Sequence, residues 1–160
     1  MSYSTLLSTA AAAILLAGCA SAPFGGGNSQ LNATCTPITE QQLAALFDRW
    51  NSSVETGDPH KVVANYAEKS LLLPTVSNKP RLTAAEKEDY FEHFLENKPR
   101  GVIDQRFTKI GCNTALDTGL YTFTFSKNGA IVKARYSYTY EYVGGQWLIT
   151  SHHSSAMPEK

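Results

Sequence analysis

The sequence predicts an α+β domain, with helices gathered on one face of a curved antiparallel sheet, and three observations carry that expectation. In the first half of the domain apolar residues recur at helical spacing, as in Leu43, Leu46, Phe47, Trp50 and Val54 and again in Tyr90, Phe91, Phe94 and Leu95. From Gly119 to Ser155 they alternate with polar residues instead, the period of a half-buried strand. Two turn signals, Asn128-Gly129 and Gly144-Gly145, cut that stretch into three antiparallel strands. Helices first and strands afterwards imply segregated layers rather than a parallel sheet with crossover helices.

Two-residue turns at both sites place Tyr121, Phe123 and Phe125 opposite Tyr136, Ala134 and Val132. They also place Tyr142, Tyr140, Tyr138 and Tyr136 opposite Trp147, Ile149, Ser151 and His153. One face is then almost wholly aromatic or aliphatic, and the helices must cover it. The other carries Thr122, Thr124, Lys133, Arg135, Ser137, Thr139, Glu141, Thr150, His152 and Ser154. A one-residue slip would scatter both sets.

The remaining elements follow in chain order. Residues 1–19 read as a signal peptide, because the apolar run ending in Ile14-Leu15-Leu16 is too short to span a bilayer and is followed by small residues. Leu16-Ala17-Gly18-Cys19 resembles a bacterial lipoprotein box, which makes Cys19 the lipidated residue; cleavage after Ala20-Ser21-Ala22 is the alternative. Ala rather than Asp after the cysteine directs such a protein to the outer membrane, so a periplasmic, lipid-anchored location is expected. Residues 20–37, rich in Gly, Ser, Ala and Asn, read as a tether, and 38–160 as one domain. Cys35 and Cys112 are the pair left in an oxidising compartment, and a disulfide between them would fasten the tether to a strand; two unpaired thiols are the alternative. Two cysteines alone make no metal site, and no metal or cofactor is expected.

Thr39 with Gln42 reads as a capping box before the first helix. Gly57 closes that helix, and Asp58-Pro59 opens a second, shorter one with Val62, Val63 and Tyr66 on its apolar side. Leu71-Leu72-Leu73 is a short buried strand ended by Pro74, and Thr75 to Leu82 an irregular link. Thr83 caps a third helix that Asn97 and Pro99 stop, and Val102 to Cys112 form the strand leading into the central three. With 160 residues, 42% of them apolar, the chain has length for one domain with a real core. Acidic and basic residues balance at 14 each, which argues against a nucleic-acid or polybasic membrane surface.

Several segments together resemble a known family: Leu46-Phe47-Asp48-Arg49-Trp50-Asn51, Thr56-Gly57-Asp58-Pro59, Leu72-Leu73-Pro74-Thr75-Val76-Ser77-Asn78, Asp89-Tyr90-Phe91, Ile110-Gly111-Cys112-Asn113, and Trp147-Leu148-Ile149 through His152-His153-Ser154-Ser155. From Thr39 to Glu159 the chain resembles the bacterial proteins similar to the association domain of calcium/calmodulin-dependent protein kinase II, within the nuclear transport factor 2-like superfamily. The resemblance implies a cone of curved sheet wrapped on three helices, with self-association and pocket binding. It implies no kinase chemistry, because the Gly-rich loop, the catalytic Asp loop and the Asp-Phe-Gly triplet are missing. Where the kinase hub has an arginine after the second histidine of its last strand, this chain has Ser154; Arg135 or Arg106 would have to supply any anion-binding role. Relatives in the superfamily include ketosteroid isomerase and SnoaL-like polyketide cyclases.

On this reading His153 is the polar group inside the cone, with Trp50, Tyr66, Tyr90, Tyr136 and Tyr138 around a small-molecule pocket. Lys133, Arg135, Glu141 and His152 belong to a homo-oligomer interface on the polar face, where Arg135 or Lys133 of one copy meets Glu141 of the other. The expected function is an exported, non-catalytic association and ligand-binding module. The alternative is a small-molecule isomerase or cyclase with His153 as general base and Tyr136 as proton donor. Asp48 and Asp89 are the carboxylates such an enzyme would draw on. The expected partners are a second copy of the chain and an unidentified small molecule, with no nucleic acid and no membrane contact beyond the lipid anchor.

Overall fold

The computed structural model describes residues 34–158. The expected signal peptide, the expected lipidation site Cys19 and most of the expected tether lie outside the described residues. Element order is α1 (Glu40–Glu55), α2 (Pro59–Val63), β1 (Tyr66–Leu73), α3 (Ala84–Leu95), β2 (Pro99–Ile110), β3 (Thr114–Phe125), β4 (Ala130–Val143) and β5 (Gln146–Ala156). The strands form one sheet in the order β1-β5-β4-β3-β2.

The helices start where the sequence signals them. The Thr39 hydroxyl accepts from Gln42 N at 3.2 Å while the Gln42 side chain accepts from Thr39 N at 2.9 Å, a closed capping box. Thr83 and Glu86 repeat the device on α3. Asp58 caps α2, whose first residue is Pro59. The buried stripe of α1, Leu43, Phe47, Trp50 and Val54, lies against the aromatic face of the sheet, with Phe91 and Leu95 of α3 beside it. Trp50 is the hub of this core, within 6.3 Å, ring centre to ring centre, of Phe47, Phe91, Phe123, Tyr138 and His152. Lys87 of α3 is buried too, its ammonium held by the carbonyls of Ser70 and Leu82 at 3.0 Å each.

Three features depart from the sequence expectation. First, α2 ends at Val63, so Tyr66 begins β1 and is not a helical residue. Second, β1 runs from Tyr66 to Leu73 and pairs parallel with β5, so the sheet is mixed rather than purely antiparallel. Third, the turns differ. The β3–β4 hairpin closes with Phe125 opposite Ala130, a four-residue loop instead of a two-residue one, and every pair along it is displaced by two. Because side chains alternate with period two, a shift of two leaves each on its expected face.

The β4–β5 hairpin begins in the expected register, Val143 with Gln146 and Tyr142 with Trp147, but the register skips between Tyr140–Ile149 and Thr139–Ser151. Thr150 is the extra residue of a β-bulge, and beyond it β5 is turned over. His152 and Ser154 therefore point into the core, 4% and 8% exposed, and His153 faces out. The assignment of His153 to the covered face, and of His152 and Ser154 to the polar face, is corrected. A second bulge, at Asp104 in β2, falls between the pairs Ile103–Tyr121 and Gln105–Leu120.

Cys35 and Cys112 form a disulfide with Cα atoms 5.0 Å apart, joining positions separated by 77 residues. In the chain-entropy model a loop of that length stabilises the fold by about 4 kcal/mol. Asn113 ties the same segment, its carboxamide accepting from Thr36 N at 2.6 Å and donating to Thr34 O at 3.0 Å.

Candidate small-molecule pocket

Between α3, the link after β1 and the inner face of the sheet lies a cavity of about 70 Å³. Its walls are mostly rings: Trp50 of α1, Tyr90, Phe91 and Phe94 of α3, Tyr121 and Phe123 of β3. Space on that scale suits a small molecule. Outside it lies a larger pocket of about 450 Å³ that shares Val76, Tyr90, Phe94, Phe125 and Val132 with the inner one.

Polar groups meet the inner cavity where the bulge at Thr150 has turned β5 over. Ser154 accepts from the Tyr121 hydroxyl and is bonded to the Thr75 hydroxyl. His152 stacks on Tyr138 at 4.1 Å between ring centres, and its Nδ1 is 2.7 Å from the Tyr66 hydroxyl. Its Nε2 is buried with no protein partner. If Tyr66 donates to Nδ1, Nε2 carries a hydrogen; in the other tautomer it offers a lone pair. Burial pushes the imidazole down to about 3, with His153 adding to the effect, so His152 is neutral at physiological pH. Burial also holds the hydroxyls of Tyr66 and Tyr121 well above the ordinary tyrosine range. The cavity wall thus carries no formal charge.

A second polar cluster lies on the inner face farther along the sheet. Asp117, fully buried, accepts from Tyr136 OH at 2.8 Å and from Arg106 Nε at 3.1 and 3.2 Å. Burial raises the Asp117 carboxyl above its usual range, against the opposing pull of Tyr136 and Arg106. Neither Asp117 nor Tyr136 lines the cavity described above.

The expected pocket residues divide accordingly. Trp50 and Tyr90 line the cavity. Tyr66 and Tyr138 stand behind it, holding His152. Tyr136 serves Asp117 instead. His153 is on the outer face with Lys133, Arg135 and Glu141, all four exposed, and does not line the cavity; the expected interface residue His152 is in the core. His153 and Tyr136 therefore do not form an acid and base pair in one cavity. Asp48 is exposed, and Asp89 pairs with Arg81. Sequence reasoning missed Thr75, Tyr121 and Ser154 as polar groups of the pocket, and Asp117. The only signal for Asp117 was an acidic residue in phase with Ala115, Tyr121 and Phe123. Among the described residues no three His, Cys, Asp or Glu side chains converge as a metal site, and no helix is long and apolar enough to cross a membrane.

Comparison with known proteins agrees with this fold. The family model of the calcium/calmodulin-dependent protein kinase II association domain matches residues 39–158. A Xanthomonas campestris protein described as such an association domain is 49% identical, with a TM-score of 0.74 over 78% of this chain and 91% of that one. A nuclear transport factor 2-like protein from Pseudomonas putida shares the fold at 18% identity, with a TM-score of 0.67 over 78% and 91% of the two chains. So does a cyanobacterial iota-carbonic anhydrase crystallised with bicarbonate, at 21% identity and a TM-score of 0.68 over 78% and 99%. No curated protein matches the chain. With a family model covering the whole described domain and a relative identical at nearly half its aligned positions, this chain belongs to the calcium/calmodulin-dependent protein kinase II association-domain family.

Proposed function

We propose that the chain is an exported small-ligand-binding domain that associates with itself through the outer face of its sheet, and that its inner cavity takes a molecule of the bicarbonate class. The buried, unpartnered Nε2 of His152 carries this reading. Leaving such a nitrogen unsatisfied costs about 1–3 kcal/mol, which a ligand supplying the missing hydrogen bond recovers. Bicarbonate has four heavy atoms and both kinds of hydrogen-bonding oxygen, so it serves either tautomer of His152 and still fits the available space. The bicarbonate bound by the cyanobacterial carbonic anhydrase of the same fold supports the choice. The Cys35–Cys112 disulfide supports export, as such bonds persist in oxidising compartments. A lipid anchor at Cys19 is part of this reading, and nucleic acid is not.

A second reading is favoured by the same nitrogen. In the tautomer with a free lone pair, Nε2 of His152 can accept a proton from water as its oxygen adds to carbon dioxide, giving bicarbonate. The depressed basicity of His152 weighs against this reading as it does against isomerase or cyclase chemistry, and the small cavity weighs further against the latter.

Ser154→Ala tests the pocket. Removing the hydroxyl strands those of Tyr121 and Thr75, so binding of ¹³C-labelled bicarbonate, followed by NMR, is expected to weaken about tenfold with the fold intact. Equal affinity in the variant would exclude this cavity as the site. Hydration of carbon dioxide, followed by stopped flow, separates the two readings: a rate above the buffer background that Ser154→Ala lowers identifies an enzyme.

For the interface, exposed Lys133, Arg135 and Glu141 on a threonine-rich sheet face give both charge signs to a two-fold contact. Arg135→Glu is expected to shift sedimentation toward monomer without changing ligand affinity. A variant that stays fully associated would rule this contact out.

A further inference from the structure

The larger outer pocket has its own recognition group. Arg81 lines it, along with Ser77, His93, Asn97 and Asn128. The Arg81 backbone is anchored to β1, its N–H donating to Leu72 O at 2.9 Å and its carbonyl accepting from Leu72 N at 3.0 Å. Its guanidinium lies over the Tyr90 ring, 5.7 Å from the centroid. Nη1 donates to Glu86 O at 3.1 Å and to the Asp89 carboxylate. Those contacts occupy one side of the group. On the other side, Nε is buried without an acceptor, and Nη2 has none among the described residues.

An arginine presents Nε–H and one Nη2–H side by side, and this two-pronged edge matches the two oxygens of a planar oxyanion. Here the edge is held in place by the two hydrogen bonds of Nη1 and by Tyr90, so little side-chain freedom remains to be lost when an anion arrives. The charges around it are few. Asp89, 61% exposed, sits on the already occupied side, and Lys79 is paired with Glu86 at 3.2 Å. The inner cavity, by contrast, has no charged group in its wall.

We propose that the outer pocket is a separate anion site, in which Nη2 of Arg81 meets one oxygen of a carboxylate or of bicarbonate and Nε, closed to solvent in the free protein, takes the other once the anion has entered. The site stands independently of what occupies the inner cavity, with which it shares the walls formed by Val76, Tyr90, Phe94, Phe125 and Val132.

Acetate is the probe, titrated into the whole mature protein while the His93 ring and the Asn128 side-chain amide are followed by NMR. Saturable shifts at both are expected in the wild type. Arg81→Gln should weaken acetate about tenfold, the effect of losing one bidentate charged contact, and Arg81→Lys should restore only part of it. Asp89→Asn should act oppositely and tighten acetate about threefold, because it removes a competing negative charge from the same guanidinium. A merely structural Arg81–Asp89 pair would give losses in both variants, so the Asp89→Asn arm decides even if Arg81→Gln folds poorly. Ser154→Ala, which tests the inner cavity, should leave the His93 and Asn128 shifts unchanged. The proposal is overturned by an absence of saturable shifts in the wild type, by unchanged affinity in folded Arg81→Gln, or by weakened affinity in Asp89→Asn.

Discussion

Gly119→Ala is expected to cost the domain about 4 kcal/mol, a loss at the upper end for a single substitution, although it adds only one methyl group. A Cβ built on Gly119 would lie 2.0 Å from the carbonyl oxygen of Gln105 and 2.8 Å from its carbon. Both are backbone atoms of the neighbouring strand, so no side-chain rotation relieves the clash. The approach is this close because β2 bulges at Asp104, where the register skips from Ile103–Tyr121 to Gln105–Leu120. Opening the ladder there moves Arg106, the partner of Gly119, away from Asp117. A buried carboxylate deprived of its cation is then added to the steric cost. Urea unfolding of the wild type and the variant measures the difference, and a loss below about 1 kcal/mol, an ordinary value for one substitution, would mean that the strands separate freely at this point. Serine should behave like alanine, because the first added atom makes the clash.

Much of this fold is written locally. Thr39 with Gln42 and Thr83 with Glu86 close capping boxes that three-residue spacing announces, and the apolar stripes of α1 and α3 are the buried faces. The inner face of β3 and β4 also follows from alternation, and the error in the length of the Asn128-Gly129 loop was harmless because it was an even number of residues. The bulge at Thr150 was not harmless. It inserts one residue, and one residue exchanges the faces of everything after it. Nothing in Ile149-Thr150-Ser151 marks it, since Thr and Ser fit either face of a strand. The cause lies across the sheet. β1 pairs with Ile149 through Tyr66 and resumes at Leu71 with Ser151, so both strands leave regular register at the same place. A long-range parallel pairing of that kind has no local signature. The sequence accordingly points to a site one position off: His153 takes the role that His152 has, and Ser154 falls on the polar face instead of the core. The disulfide was legible because only two cysteines follow Cys19.

Acid should destabilise this protein earlier than its carboxylates alone would allow, and His152 is the expected cause. An unfolded chain binds a proton at this imidazole below about 6.5, whereas the folded chain does not until about 3. Between those values the unfolded state holds more protons, so stability falls as pH falls, by up to about 1.4 kcal/mol per pH unit. Over the whole window the loss is on the order of 5 kcal/mol, comparable with the total stability of many domains. Other groups act differently. The raised Asp117 carboxyl works in the opposite sense, its contribution being largest at low pH and lost as pH rises through the folded value. His60, raised by its bond to Glu88, likewise contributes below about 6.5 and loses that contribution at higher pH. Glu86, lowered to about 2 by the backbone N–H groups of Leu82 and Thr83, loses its contribution only below the ordinary carboxylate range. These terms are common to the wild type and to a His152→Gln variant, so the difference between their stability curves isolates the imidazole. Glutamine leaves the Tyr66 hydroxyl a polar neighbour, and the variant starts from lower stability at pH 7. On titration from pH 6.5 to 4.5, the wild type should lose about 2 kcal/mol more than the variant. Denaturant unfolding at half-unit pH steps gives both curves. If they run parallel across that interval, His152 is protonated in the folded protein, and water must reach the wall of the cavity that its ring closes.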